Sequence, residues 1–146
     1  MVLPKVKNLT LLAPHKVKKV AVNGKGGEVE LIGFSGKATS KVKVAASVKI
    51  GNVKYKVAYI GKKAFAKKNI KSVVIGKNVK VIGAKAFFNN KKLKKVNIKS
   101  KVLKKIGKKA FYAKRKKKLK IVVPKKKKKA YKKLLKSSKS GKYAVK

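Results

Sequence analysis

The feature that most constrains the fold of this chain is a six-residue motif that occurs three times. The copies are IGKKAF at residues 60–65, IGAKAF at 82–87 and IGKKAF at 106–111. They begin 22 residues apart (60 to 82) and 24 residues apart (82 to 106). Repetition at a period of about 20 to 50 residues is typical of solenoids, in which each unit buries its apolar face only by stacking on its neighbours. The sequence therefore predicts a stack of coils.

A short strand pattern follows each copy of the motif. Each copy continues with an apolar residue and then a short strand in which apolar residues alternate, and this alternation places them on the strand face that points into the core. The inward positions are Ile70, Val73 and Ile75, then Leu93, Val96 and Ile98, and then Leu119, Ile121 and Val123. The residues between them, including Val74, Asn97 and Val122, are predicted to point outward, where a partner could bind.

The phenylalanine that ends each motif is predicted to be a core residue. We expect the Ala-Phe step to lie in a short helical turn on the opposite side of each coil, so that Phe65, Phe87 and Phe111 stack into a buried ladder. Rings that stack on nucleic-acid bases must be exposed. Regular placement beside a small alanine favours packing instead.

The order of these features is the IGxxAF motif, then an apolar residue, then an alternating strand. In this order the chain resembles the BspA-like leucine-rich repeats of bacterial surface proteins over roughly residues 55–135. The resemblance implies an α/β repeat solenoid, an extracellular or cell-surface location, and a role in adhesion, host contact or cell-wall association. In that family a cysteine often follows three residues after the phenylalanine. Lys68, Asn90 and Lys114 stand there in this chain, so a buried thiol is absent.

The resemblance and the turn signals divide the chain into five segments. They are an amino-terminal segment (1–16), a β-rich amino-terminal cap (17–54), the leucine-rich repeats (55–123), a capping helix (124–136) and a tail (137–146) with a strand pattern at 143–145. Within the cap, Asn23-Gly24 and Gly51-Asn52 each separate two alternating strands and favour β-hairpins. A solenoid needs a cap over its last open edge. The helical face predicted to dock there contains Ala130, Tyr131, Leu134 and Leu135.

The residues that catalysis or metal binding would need are scarce. His15 is the sole histidine and is expected at the surface, and the chain has neither cysteine nor aspartate. Nucleophilic triads and tetrahedral or octahedral metal sites therefore lack their side chains. Glu28 and Glu30 lie two residues apart on a strand, which predicts surface charges held ionised by lysines. The run 24–27, GKGG, predicts a hairpin turn because it lacks the spacing of a phosphate-binding loop. We expect no enzymatic activity, no metal and no cofactor.

The surface charge is extreme. Lysine and arginine number 47 against two acids, for a formal net charge of +45, and Arg115 is the only arginine. Such a surface attracts any polyanion through counter-ion release. With a single arginine, the chain can form almost no bidentate hydrogen bonds to nucleic-acid bases. No recognition helix, zinc finger or RNA-binding signature occurs in the sequence. Attachment to nucleic acid is therefore expected to be independent of sequence and sensitive to salt.

Two functions remain open. The first is a non-enzymatic interaction module of a bacterial surface or secreted protein, which binds anionic polymers such as cell-wall polymers or glycans, or a protein ligand. The alternative is a non-specific polyanion or nucleic-acid binder, intracellular or engineered. The amino-terminal apolar patch at 9–13 is interrupted by Pro14, and it is too short for a signal-peptide core or a membrane span.

Two sets of residues are predicted to bind partners. The ligand-binding strand face contains Ser72, Val74, Lys95, Asn97, Lys99, Lys120 and Val122. The second set is a polyanion-binding run of adjacent lysines, Lys125, Lys126, Lys127, Lys128 and Lys129.

The charge imbalance generates a prediction about stability. Because dissolved salt screens like charges over about 10 Å at 0.1 M, repulsion among the lysines weakens as salt is added. We expect the thermal midpoint of unfolding, followed by circular dichroism, to rise between about 20 mM and about 500 mM NaCl. A midpoint that stays constant or falls would show that repulsion does not limit the stability of the chain.

Overall fold

A computed structural model describes residues 5–6, 15–22, 27–34, 41–50 and 52–146. Within these residues the strands form two sheets, and a single apolar core cluster contains residues of both. The seven-stranded sheet has the spatial order β1 (Lys5–Val6), β2 (His15–Val22), β3 (Gly27–Phe34), β6 (Val53–Ile60), β8 (Val81–Ile82) and β10 (Lys105–Ile106), with β5 (Ser47–Ile50) paired to β6.

The second sheet has five strands, and all of its neighbouring strands are parallel. Its spatial order is β12 (Tyr143–Val145), β11 (Leu119–Val122), β9 (Lys95–Ile98), β7 (Ser72–Ile75) and β4 (Lys41–Lys43). A 3-10 helix at Lys125–Lys127 leads into the helix α1 at Lys128–Ser138. Both lie between β11 and β12 in the chain.

Each copy of the motif carries the chain from one sheet to the other. The isoleucine that opens a copy ends β6, β8 or β10, and the strand pattern that follows forms β7, β9 or β11. The nine predicted inward positions are all buried, from 0% exposed for Ile75 to 6% for Val123. The parallel five-stranded sheet and the buried inward face agree with a repeat solenoid.

The predicted phenylalanine ladder is confirmed. Phe65 and Phe87 stack with ring centroids 5.1 Å apart and planes 3° apart, and Phe87 and Phe111 stack at 5.4 Å and 10°. All three rings are fully buried. One identical side chain per coil thus fills one column of the core.

The expected helical turn at the Ala-Phe step is wrong. The step lies in successive hydrogen-bonded turns, since Ala64 N–H donates to Gly61 O and Ala66 N–H donates to Lys63 O, both at 3.2 Å. At the equivalent positions Lys63, Lys85 and Lys109, φ is 58°, 55° and 56°. A left-handed residue cannot continue a right-handed helix, so each turn stops and the next begins.

Backbone hydrogen bonds join the stacked turns. Phe65 N–H donates to Ala86 O at 2.7 Å, and Phe87 N–H donates to Ala110 O at 2.7 Å. The motif glycine permits this close approach, because a Cβ atom on Gly107 would lie 2.3 Å from the backbone nitrogen of Ala84. The glycine of the motif is therefore fixed by the distance between coils.

Asn90 links two coils from within the core. Its side chain is fully buried, and Oδ1 accepts hydrogen bonds from the N–H groups of Lys68 at 3.0 Å and Ile70 at 3.2 Å. Nδ2 donates to Phe65 O at 2.8 Å and to Phe87 O at 2.9 Å. Both donors and both acceptor positions of the amide are thus satisfied.

The amino-terminal strands form the expected antiparallel pairs. β2 pairs with β3, and β5 pairs with β6. The predicted turn at Asn23-Gly24, the run 24–26, Gly51 and the side chain of His15 lie outside the described residues. β3 also pairs with β6 in parallel, which joins this part of the chain to the repeats.

The carboxy-terminal helix docks through fewer residues than predicted. Tyr131 and Leu135 are buried and Leu134 is half-buried, but Ala130 is exposed because it lies about 100° around the helix from Tyr131. The hydroxyl of Tyr131 donates to Ser100 O at 2.8 Å and accepts from Leu103 N–H at 3.1 Å.

The end of α1 also meets the last coil. Lys109 N–H donates to Ser138 O at 2.5 Å, and Phe111 N–H donates to the Ser140 hydroxyl at 3.3 Å. In the preceding coil, the equivalent N–H groups of Lys85 and Phe87 donate to the coil that follows them. Residues 138–140 therefore supply acceptors at the position where a further coil would lie.

The hydrogen bonds of Asn90 generate a stability prediction. Asn90→Ala leaves two buried N–H groups and two carbonyl groups without their partner, so we expect the free energy of unfolding to fall by about 3 kcal/mol. Asn78→Ala is the control, because the Asn78 side chain donates one half-buried hydrogen bond, to Ala46 O at 2.8 Å. Its expected loss is about 1 kcal/mol. Equal losses in urea denaturation would contradict the linking role of Asn90.

Candidate binding surface

The predicted strand face is assembled by the five-stranded sheet. In the register of β7, β9 and β11, Lys95 pairs with both Ser72 and Lys120. In the same way, Asn97 pairs with both Val74 and Val122. Six of the seven predicted residues thus form two rows across three neighbouring strands. The seventh, Lys99, follows β9 directly, and its N–H donates to Ile75 O at 3.0 Å.

The rows present cations beside half-buried side chains. Lys95, Lys99 and Lys120 are exposed, whereas the remaining four residues of the face are half-buried. Neighbouring parallel strands lie about 4.8 Å apart. The face therefore offers charged and uncharged groups at a fixed spacing, with few degrees of freedom for the half-buried ones.

Both rows continue onto β4, which the sequence pattern did not predict. Lys41 pairs with Ser72 and Lys43 pairs with Val74, and both lysines are exposed. β4 falls in the segment assigned to the amino-terminal cap, so its residues were not considered part of the face. The alternation of Lys41, Val42, Lys43 and Val44 was the available signal, since both valines are buried.

A cationic groove adjoins this face and was also missed. It has a volume of about 740 Å³ and is lined by residues 91–95, 114–118 and 120. Lys95 and Lys120 belong both to the groove and to the strand face. The other cations of the groove come from the two connections that precede β9 and β11. From the sequence, these lysines were indistinguishable from other surface lysines.

Arg115 differs from the other cations of the groove. The nine lysines that line it are exposed, while Arg115 is half-buried. Its Nη2 donates to Asn90 O at 3.4 Å, but its Nε and Nη1 are buried without a hydrogen-bond acceptor among the described residues. Burial lowers the pKa of the guanidinium, although an arginine of this kind stays charged at neutral pH.

The predicted polyanion-binding run lies apart from the groove lining. Lys125, Lys126 and Lys127 form the 3-10 helix, Lys128 and Lys129 begin α1, and all five are exposed. The structure therefore brings the strand face and the groove together, while the lysine run forms a separate patch.

Glu28 belongs to a small polar cluster between strands. Its Oε2 lies 2.5 Å from Lys80 Nζ, and its Oε1 accepts a hydrogen bond from the Tyr59 hydroxyl at 3.2 Å. The hydrogen bond to Glu28 raises the pKa of Lys80, and burial followed by the charge of Glu28 raises the pKa of Tyr59. Glu28 and Glu30 are both half-buried, and the ion pair of Glu28 with Lys80 agrees with the prediction of strand charges beside lysines.

A second aromatic pair lies beside the phenylalanine ladder. Phe88 and Tyr112 are half-buried and stack at 5.9 Å between centroids. Lys85 Nζ lies 5.2 Å from the centroid of Phe88, and Lys109 Nζ lies 5.4 Å from that of Tyr112. Each ring thus already contacts another ring and a lysine, which limits its use as a platform for stacking.

The described part of the chain contains no cluster of three or more residues of the metal-ligating types. None of its helices has the length and apolarity needed to cross a bilayer.

Comparisons with known proteins agree with the coil structure. Residues 38–143 match the BspA type leucine-rich repeat region in six copies. This match begins at residue 38, earlier than the roughly 55–135 range indicated by the motifs. It also contains six repeats, whereas the motif is visible in three copies. The position of β4 explains part of this difference, because β4 extends the five-stranded sheet by one strand before β7. No sequence among the curated proteins matches this chain.

Two solved structures resemble it. A leucine-rich repeat protein from Bacteroides capillosus is 27% identical with a TM-score of 0.67, and the alignment covers 82% of this chain and 84% of that one. A leucine-rich cell surface protein from Faecalibacterium prausnitzii is 30% identical with a TM-score of 0.57, over 68% of this chain and 26% of that one. The match to the family at residues 38–143 spans more than half of this chain, and the chain therefore belongs to the BspA type leucine-rich repeat family.

Proposed function

We propose that this chain is a non-enzymatic interaction module of a bacterial surface or secreted protein, and that its strand face binds an anionic polymer. The observation that carries the proposal is the register of the five-stranded sheet. It aligns Lys41, Ser72, Lys95 and Lys120 in one row and Lys43, Val74, Asn97 and Val122 in the next. A repeating ligand laid across the strands meets equivalent groups at regular intervals.

The composition of the surface supports an anionic ligand. The chain has 47 basic residues and two acids, and Glu28 is already paired with Lys80. Neutralising lysines with a polyanion releases bound counter-ions, which favours association at low salt. A protein ligand with an acidic surface would gain from the same field, but it would not exploit the repetition of the rows.

The half-buried residues of the face supply the selectivity that exposed lysines lack. An exposed lysine is a flexible point charge, and it contacts phosphate, sulfate and carboxylate groups alike. Val74, Asn97 and Val122 are half-buried and adjacent in register, so they present a fixed shape between the charges. A ligand that fits this shape keeps part of its binding energy when salt screens the lysines.

The proposed location at the cell surface is supported by similar proteins. One similar structure is described as a cell surface protein, and repeat families of this kind typically act as interaction modules. The exposed run Lys125–Lys129 is proposed as a second, less selective attachment point for the same polymer. We further propose that α1 closes the last coil, because Ser138 and Ser140 accept the hydrogen bonds that Lys109 and Phe111 donate.

Binding across a salt series tests the proposal. We expect wall teichoic acid, heparin and duplex DNA all to bind at about 50 mM NaCl, since counter-ion release is common to them. At about 500 mM NaCl, heparin and DNA should dissociate while the wall polymer remains bound. Equal release of all three ligands would favour the alternative of a non-specific polyanion binder.

A set of substitutions tests the choice of surface. The triple variant Lys43→Gln, Asn97→Ala and Lys99→Gln changes the strand face without touching the groove lining, and it removes two charges. We expect binding of the wall polymer at about 500 mM NaCl to weaken by at least about tenfold, or about 1.4 kcal/mol. The matched control, Lys62→Gln with Lys108→Gln, also removes two exposed charges and should change that binding by less than about twofold. Unchanged binding by the triple variant would mean that the strand face is not the site.

A further inference from the structure

The groove beside the strand face contains a cation that the chain itself leaves uncompensated. The Nε and Nη1 atoms of Arg115 are buried and have no acceptor among the described residues. A buried donor without an acceptor costs about 1–3 kcal/mol, and more when it is charged. An unsatisfied buried group in an ordered fold therefore calls for a physical explanation.

No acid of this chain provides that explanation. The sequence contains only Glu28 and Glu30. Glu28 pairs with Lys80, and Glu30 lies on the same strand, where its side chain lies against Gly61. Neither of them lines the groove. Neither carboxylate is therefore the counter-ion of Arg115, and an anion from outside the chain can take that place.

The surroundings of Arg115 concentrate anions further. Nine exposed lysines line the same groove, seven on the two connections that lead into β9 and β11 and two, Lys95 and Lys120, on the strands themselves. Arg115 presents a planar fork that matches two oxygens of one anion, whereas each lysine acts as a point charge. The lysine stems are long and flexible, so their side chains can rearrange when an anion reaches the guanidinium.

We infer that this groove binds consecutive phosphate groups of an unbranched phosphate polymer, with one phosphate held by the guanidinium of Arg115 and its neighbours held by the lysines. The inference rests on the proposed function and deepens it by naming the ligand chemistry and a second contact region. A groove of about 740 Å³ falls in the range of about 300–1,000 Å³ that is common for ligand sites.

The lining favours a phosphate chain over other polyanions. It contains ten cations and Leu93, and thus no aromatic ring, amide or carboxylate side chain. Nucleic-acid bases are usually held by stacking on aromatic rings. Sugar hydroxyl groups need side-chain acceptors as well as donors, and lysine and arginine offer donors only. Closely spaced phosphates with neither bases nor sugar rings between them need only cations.

The repeat structure explains why the groove occurs at this place. The connection from the motif phenylalanine to the first inward residue of the next strand lengthens along the chain, from 65–70 to 87–93 and then to 111–119. Insertions in repeat proteins map to loops on one face, which is often the binding face. The longest connection contains Arg115 and four of the nine lysines of the groove.

Titration of the full chain with linear polyphosphate of about 15 units in about 500 mM NaCl tests the inference. Arg115→Lys preserves the net charge but removes the fork, so we expect affinity to fall by about tenfold. Lys62→Gln removes an exposed charge outside both the groove and the strand face and should change affinity by less than about twofold. The thermal midpoint with and without polyphosphate provides a second measurement, because a bound ligand stabilises the folded state. The shift should be smaller for Arg115→Lys than for the unaltered chain.

Two further ligands identify the chemistry. Poly(glycerol phosphate) of similar length should show the same dependence on Arg115, since it shares the phosphate chain. An oligothymidylate of about 15 nucleotides should bind more weakly at this salt concentration. Equally tight binding of the oligonucleotide, with the same loss in Arg115→Lys, would overturn the assignment to a phosphate chain without bases.

The groove and the strand face can fail separately. Polyphosphate affinity that is the same in Arg115→Lys and in the unaltered chain would overturn the groove inference, even if the strand-face triple variant loses the wall polymer. If Arg115→Lys loses polyphosphate while the triple variant keeps the wall polymer, the groove inference stands and the strand-face proposal fails.

Discussion

The structure depends on one constraint, which is that a chain with 47 basic residues and two acids can form few salt bridges to hold it together. Its coils are joined instead by uncharged contacts. Phenylalanine rings stack at 5.1 Å and 5.4 Å between centroids, and backbone N–H groups of one coil donate to carbonyl groups of the next. Both contacts require successive coils to approach closely, which is why glycine stands at position 107 of the motif. Apolar burial and backbone pairing oppose a repulsion that spreads over the whole surface.

The same constraint shapes what the surface can do. Because acids are nearly absent, few lysines can pair with a carboxylate of the chain, and a region where lysines concentrate has a positive potential that attracts anions. The sheet then orders some of these charges. Its parallel register fixes rows across β4, β7, β9 and β11, and the longest connection gathers others around Arg115. The repeated coil thus arranges part of a general positive charge into two surfaces with defined geometry.

Two polar side chains depart from the general pattern in opposite ways. Asn90 is fully buried and satisfies every hydrogen-bonding position of its amide, so it stabilises the contact between two coils. Arg115 is half-buried and leaves two of its nitrogens without an acceptor among the described residues. Asn90 serves the fold, whereas Arg115 is the residue on which the proposed phosphate site is centred. The backbone carbonyl of Asn90 accepts the hydrogen bond from Arg115, so the two residues are direct neighbours.

The sequence by itself determined the coil, because two of its features depend only on spacing along the chain. They are the period of the motif and the apolar alternation within each strand that contains Val73, Val96 or Ile121. It also determined the phenylalanine ladder and most of the strand face, since residues at equivalent positions of a repeat must become neighbours. Only the tertiary structure decided the conformation of the Ala-Phe step, where lysines with positive φ interrupt the expected helical turn. It also decided the exposure of Ala130. It alone decided the roles of Asn90 and Arg115 and the presence of the groove. These depend on contacts between coils and on loop geometry, and nothing in the local pattern distinguishes the lysines of the groove from other lysines of the chain.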